Sequence, residues 1–144
     1  MFQSCKKLKT APSLPATTLA EKCYTLMFYN CSGLKNMSKL SATTLAPSCY
    51  QQMFHKCTSL TGTYDLPATE LAKNCYDGMF AECTSLTTAP EISGTTMATR
   101  CCGGMFRGCT SLTTPPSIIH TDNTLHAHYS MFSGCTSLTT TPEF

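Results

Sequence analysis

The chain has 144 residues, of which 42% are hydrophobic and 12% charged, with a formal net charge of plus two. It is too apolar and too weakly charged for a disordered segment, and long enough for one domain. No apolar run approaches the ~18 residues needed to cross a bilayer, so direct membrane insertion is not expected. Met1 to Thr10 carries lysines but no following apolar segment of the kind a signal peptide needs, so any export signal is expected elsewhere in the parent chain. Eleven cysteines approach a disulfide-scaffold composition, yet such scaffolds are usually under ~80 residues and even in cysteine number. Trp and Val are absent and Thr is the commonest type, which argues against a conventional mixed core.

Self-similarity explains this composition. Met-Phe pairs begin at Met1, Met27, Met53, Met79, Met105 and Met131, a constant step without insertion or deletion that defines a 26-residue repeat. Cys5, Cys31, Cys57, Cys83, Cys109 and Cys135 follow in the same register, then Leu8, Leu34, Leu60, Leu86, Leu112 and Leu138. Further columns hold Leu14, Leu40, Leu66, Ile92 and Ile118, then Leu19, Leu45, Leu71 and Met97, then Cys23, Cys49, Cys75 and Cys101.

Taken along one repeat, the stretch after the first cysteine, as in Cys83 to Pro90, is β-prone and short. It predicts a strand of three or four residues, which the proline confines to a strand end or edge. Thr17 or Thr18 then stands where a helix N-cap would. Leu19, Ala20, Cys23, Tyr24, Met27 and Phe28 fall at i, i+1, i+4, i+5, i+8 and i+9, a stripe that predicts an amphipathic helix of two to three turns. Gly108 and Gly134 sit just after Met-Phe, where such a helix would end in a left-handed residue. A unit with one apolar face cannot bury it alone and must stack on copies of itself. The expectation is an α/β repeat solenoid over residues 1–144, about five and a half repeats long, with short parallel strands on one face and short helices on the other. Equivalent side chains would form ladders along its axis, at the ~4.8 Å spacing of neighbouring strands.

The phrase Cys-x-x-Leu-x-x-Ala-Pro-x-Leu-Pro-Ala-Thr-Thr-Leu-Ala-x-x-Cys-Tyr-x-x-Met-Phe, clearest in Cys5 to Phe28 and Leu66 to Phe106, resembles the BspA-like, or Treponema-type, leucine-rich repeats of bacterial surface proteins. The resemblance implies a leucine-rich-repeat rod from a secreted or surface-attached protein, commonly of gut or oral Bacteroidetes and some anaerobic protists, used for adhesion or ligand binding. It implies no active site. The last repeat departs from the phrase, with Asn123 for the core leucine, Ala127 for the second cysteine and His128 for the tyrosine.

The cysteine columns admit three readings. They are small buried groups filling tight turns; or they pair as disulfides, although side chains in a ladder run parallel rather than toward each other; or they bind zinc, although no C-x-x-C occurs and a ligand set would have to be assembled across repeats. Cys31, Cys57, Cys83 and Cys109, with Leu34, Leu60, Leu86 and Leu112, are expected to form the core. Cys102, in the tyrosine column beside Cys101, is expected to be more accessible. His120, His126 and His128 cluster in the divergent last repeat, where a metal site would have only Asp122 as a nearby carboxylate; a relaxed, polar end repeat is the stronger explanation. No Gly-rich phosphate loop, H-E-x-x-H or recurrent carboxylate pair is present, so neither catalytic residues nor a cofactor is expected.

Variable columns define the candidate binding face. One carries Thr10, Asn36, Thr88, Thr114 and Thr140; the other carries Ser13, Lys39, Asp65, Glu91, Ser117 and Glu143. A Thr ladder of this kind could hold a protein or glycan, and it is also what a β-prone stripe looks like without a ligand. Residues 1–60 carry seven lysines against Glu21, a net of plus six, and residues 61–144 carry a net of minus four. That split does not make the continuous basic face that nucleic acid requires. With no complete polar cap at either end, it predicts end-to-end self-association, or neighbours in a longer array that cover the ends. The functional expectation is a non-enzymatic interaction or adhesion module, extracellular or at a cell surface, with a structural spacer as the alternative.

Overall fold

The structure, a computed structural model, describes residues 1–118, 124 and 126–140. Among these residues there is no helix, and the β-pairing consists of isolated bridges, so the α/β solenoid with helices on one face and strands on the other is not the architecture. Thr17 and Thr18 accordingly cap no helix.

Where a helix was expected, each repeat forms a ribbon of overlapping turns, at 21–30, 47–56, 73–82 and 99–108. Its N–H groups alternate between two acceptors. Met53 donates to the Tyr50 carbonyl three positions back (3.2 Å), and Phe54 donates to the Met79 carbonyl of the next repeat (2.9 Å). His55 and Cys57 then donate to Gln52 and Phe54, while Lys56 donates across to Ala81. An α-helix would satisfy all these groups within its own segment. Here every second donor requires the neighbouring repeat, so the ribbon forms only as part of the stack. An insertion inside it would misplace the whole row of acceptors, which accounts for the unvarying repeat length.

The turns are made by a left-handed residue at every fourth position. Lys22, Leu26 and Asn30 have φ near 57°, and the same three columns are positive in later repeats, through Ser48, Gln52 and Lys56, then Asn74, Gly78 and Glu82, then Arg100, Gly104 and Gly108. Residues other than glycine incur about 1–2 kcal/mol in this conformation. The cross-repeat hydrogen bonds and the buried edge of the ribbon offset that cost. Gly108 and Gly134 do have positive φ, at 74° and 77°, but as members of this series rather than as helix ends.

A period of four also explains the apolar pattern. On a helix, a step of four residues overshoots one turn by roughly 40°, so a strict spacing of four would drift off one face. On the ribbon it does not drift. Leu71, Cys75, Met79 and Cys83 are all buried, as are Tyr76 and Phe80 beside them.

The other side of each repeat is held by single-residue parallel bridges between equivalent positions of successive repeats: Thr10 to Asn36 to Gly62 in one column, Leu66 to Ile92 to Ile118 in a second, Thr44 to Glu70 to Thr96 in a third. The strand expected over Cys83 to Pro90 is reduced to Thr88, bridged to Thr114. Pro90 lacks the N–H that would extend the ladder.

Between the two sides lies a core of stacked identical residues. Phe2, Phe28, Phe54, Phe80, Phe106 and Phe132 form one continuous stack, with centroids 5.4–5.7 Å apart and planes within 10°. Tyr24, Tyr50 and Tyr76 form a second stack, which stops where Cys102 takes the column. Offset stacking of this kind adds to the apolar area each ring buries. Leu34, Leu60, Leu86 and Leu112 are fully buried, as are Cys31, Cys57, Cys83 and Cys109. The thiols of that column donate to backbone carbonyls of the preceding repeat, Cys57 to Phe28 (3.2 Å), Cys83 to Phe54 (3.2 Å) and Cys109 to Phe80 (3.1 Å).

Candidate binding surface

Thr10, Asn36, Thr88, Thr114 and Thr140 are all exposed. The first four are themselves bridged residues, so their side chains stand on backbone fixed by the next repeat. Lys39, Asp65, Glu91 and Ser117 are exposed three positions further along. Glu143 lies outside the described residues. Two acids of this column also tie repeats together, the Asp65 carboxylate accepting the Glu91 N–H (3.2 Å) and the Glu91 carboxylate accepting the Ser117 N–H (3.1 Å). Lys39 has no such bond and projects as a free cation among the described residues.

Tyr64 is the residue on this face that sequence reasoning missed. It is 50% exposed, next in the chain to Asp65 and one repeat from the position before Lys39. Its column otherwise reads Pro12, Ser38, Pro90, Pro116 and Pro142, so a lone aromatic among prolines and a serine was the available signal. Lys6, Lys7, Lys9 and Lys35, in the basic half of the chain, are exposed as well.

Most of the cysteines are buried in the stack, and Cys101 is the one whose thiol is lowered, by its hydrogen bond with Cys102. All eleven are free thiols, and only Cys5 and Cys23 are exposed. Burial pushes Cys49, Cys57 and Cys109 up to about 12, and Cys83 well above its ordinary value, so these sulfurs are protonated and inert at neutral pH. Cys102 is not the accessible exception expected of it. It is fully buried, and its hydrogen bond with Cys101, together with burial, raises its thiol well above the usual range.

His120, Asp122 and Asn123 lie outside the described residues. His126 is exposed and sits edge-on to Tyr129 at 5.9 Å; His128 is half-buried and Ala127 buried. Among the described residues, no three His, Cys, Asp or Glu side chains come together as a metal site would require. Nor is any helix long and apolar enough to cross a membrane.

No family model matches the chain, nor does any curated protein or solved structure. With the helix-and-sheet leucine-rich-repeat architecture overturned by the turn ribbons, the adhesion role and the Bacteroidetes origin that came with it are left without support. What the surface offers is its own chemistry: a rigid, polar, hydroxyl-rich face with one aromatic ring flanked by a cation and an anion.

Proposed function

We propose that this chain is a non-enzymatic binding module that presents the bridged face around Tyr64 to a protein or glycan partner. The observation that carries this reading is the placement of Tyr64: a large aromatic half in solvent, in a molecule whose other tyrosines and phenylalanines are mostly stacked in the core. Tyrosine brings contact area at little entropic cost and is enriched among residues that dominate binding energy. Lys39 and Asp65 beside it give the contact polarity and direction, and the bridged backbone spares the face an ordering cost on binding. The reactive groups that an enzyme could use, the thiols, are mostly buried and protonated.

Screening the purified chain against glycan and protein arrays tests this. A hit that weakens about tenfold or more in Tyr64→Ala, with unchanged melting temperature, is expected. A hit indifferent to Tyr64→Ala and to Lys39→Ala would contradict the placement of the site. The spacer reading is favoured by the unbroken phenylalanine stack, which stiffens the rod regardless of any ligand. It predicts no array hit at all.

A further inference from the structure

The chain has only two arginines, Arg100 and Arg107, against eight lysines, and both line one groove of about 270 Å³ on the ribbon side. The groove exists because one left-handed column runs Gln52, Gly78, Gly104, Ser130, and its two glycines leave the floor without side chains. Gly103 is equally constrained, since a Cβ there would stand 2.7 Å from the Asp77 carboxylate. That carboxylate is held in place by the Gln51 amide (3.0 Å) and lies 3.6 Å from the Arg100 guanidinium. Arg100 also sits over the ring of Tyr129, 5.7 Å from its centre, and Tyr129 is 57% exposed. Arg107 is exposed and makes no ion pair with any described residue. Two arginines and one carboxylate thus line the groove, which carries a net positive charge in the half of the chain that is otherwise acidic.

We propose that this groove binds a carboxylate-bearing sugar unit, as found in acidic polysaccharides. A guanidinium presents a planar fork that matches a carboxylate through two parallel hydrogen bonds, which a lysine cannot do. Arg107, with no ion-pair partner among the described residues, takes the sugar carboxylate. Asp77, Gln52 and the Ser130 and Ser133 hydroxyls offer the mixed donors and acceptors that ring hydroxyls need, and the Tyr129 ring closes one wall. An acidic peptide is the poorer fit, because peptide anchors bury apolar side chains and this lining is mainly polar. This site is separate from the face around Tyr64 and does not depend on it.

Isothermal titration of the intact chain with trigalacturonate, its methyl ester, and a hexaglutamate peptide tests the proposal. Saturable binding of trigalacturonate is expected, weakened about tenfold or more both by esterification and by Arg107→Gln, with the melting temperature of the variant unchanged. Tyr64→Ala should leave it untouched. Absence of saturable binding, equal binding of the ester, tighter binding of hexaglutamate, or indifference to Arg107→Gln would each overturn the proposal. Loss of trigalacturonate binding in Tyr64→Ala would show that the ligand sits on the bridged face instead.

Discussion

The two long sides of each repeat use the same register in opposite ways. On the ribbon side, alternate N–H groups are committed to the next repeat and every fourth residue is left-handed, so backbone geometry dictates which side chains point inward. On the bridged side, pairing is limited to isolated residues and the exposed columns vary from repeat to repeat. Stability belongs mainly to the ribbon and the stacks behind it; the bridged side has the freedom to carry specificity. The groove at Arg107 is the place where the ribbon side has acquired variation of its own, by placing glycines in its left-handed column.

Alkali should expose the difference most strongly. A buried thiol raised to about 12 stabilises the fold fully below the unfolded-state value of about 8.5, and that contribution is lost as pH rises through the interval between the two. Cys49, Cys57 and Cys109 all belong to this class, so their losses fall in the same interval. Thermal melts under reductant are expected to be flat from pH 6 to 8 and to fall steeply from pH 9 to 11. A flat profile throughout would mean that the thiols are not buried as described. Labelling the native protein with a thiol reagent at pH 7.5 should modify Cys5 and Cys23 quickly and the core columns only after denaturation.

A core truncation comes next in size. Leu60→Ala removes a fully buried side chain in mid-stack and should cost ~2–5 kcal/mol in urea unfolding. On the bridged face, Thr88→Ala, exposed and paired only through its backbone, should change stability by no more than ~0.5 kcal/mol. Comparable losses in the two variants would erase the distinction between the sides.

The repeat, and the separation of constant columns from variable ones, could be read directly from the sequence, because stacking copies in one unbroken register turns each column into a row of neighbours. The ribbon could not be read with the same ease. Leu19, Ala20, Cys23, Tyr24, Met27 and Phe28 satisfy a helical stripe over two turns, and the drift that separates a period of 3.6 from one of four shows only over a longer stretch. The deciding marks were sparse: Asn30, Asn74, Gly78, Gly104 and Gly108, residues that tolerate positive φ, recur at steps of four within repeats and in the same columns between them. Lysine, leucine and glutamate in the same columns hid them. The groove was illegible for another reason. Asp77 and Tyr129 share a column two repeats apart, with Arg100 between them, and only the stacking of successive repeats brings the three side by side.

Glycine substitution at two adjacent residues tests the ribbon most directly. Glu21 and Lys22 form one exposed ion pair with each other (3.3 Å), so Glu21→Gly and Lys22→Gly lose the same interaction, yet only Lys22 has positive φ. In a ribbon, Lys22→Gly relieves the left-handed strain and should stabilise by ~0.5–1 kcal/mol, while Glu21→Gly should destabilise by a similar amount. In a helix, both would destabilise by ~1 kcal/mol. Urea unfolding of the two variants beside the parent chain should therefore give midpoint shifts of opposite sign; two shifts of the same destabilising sign would contradict the turn ribbon.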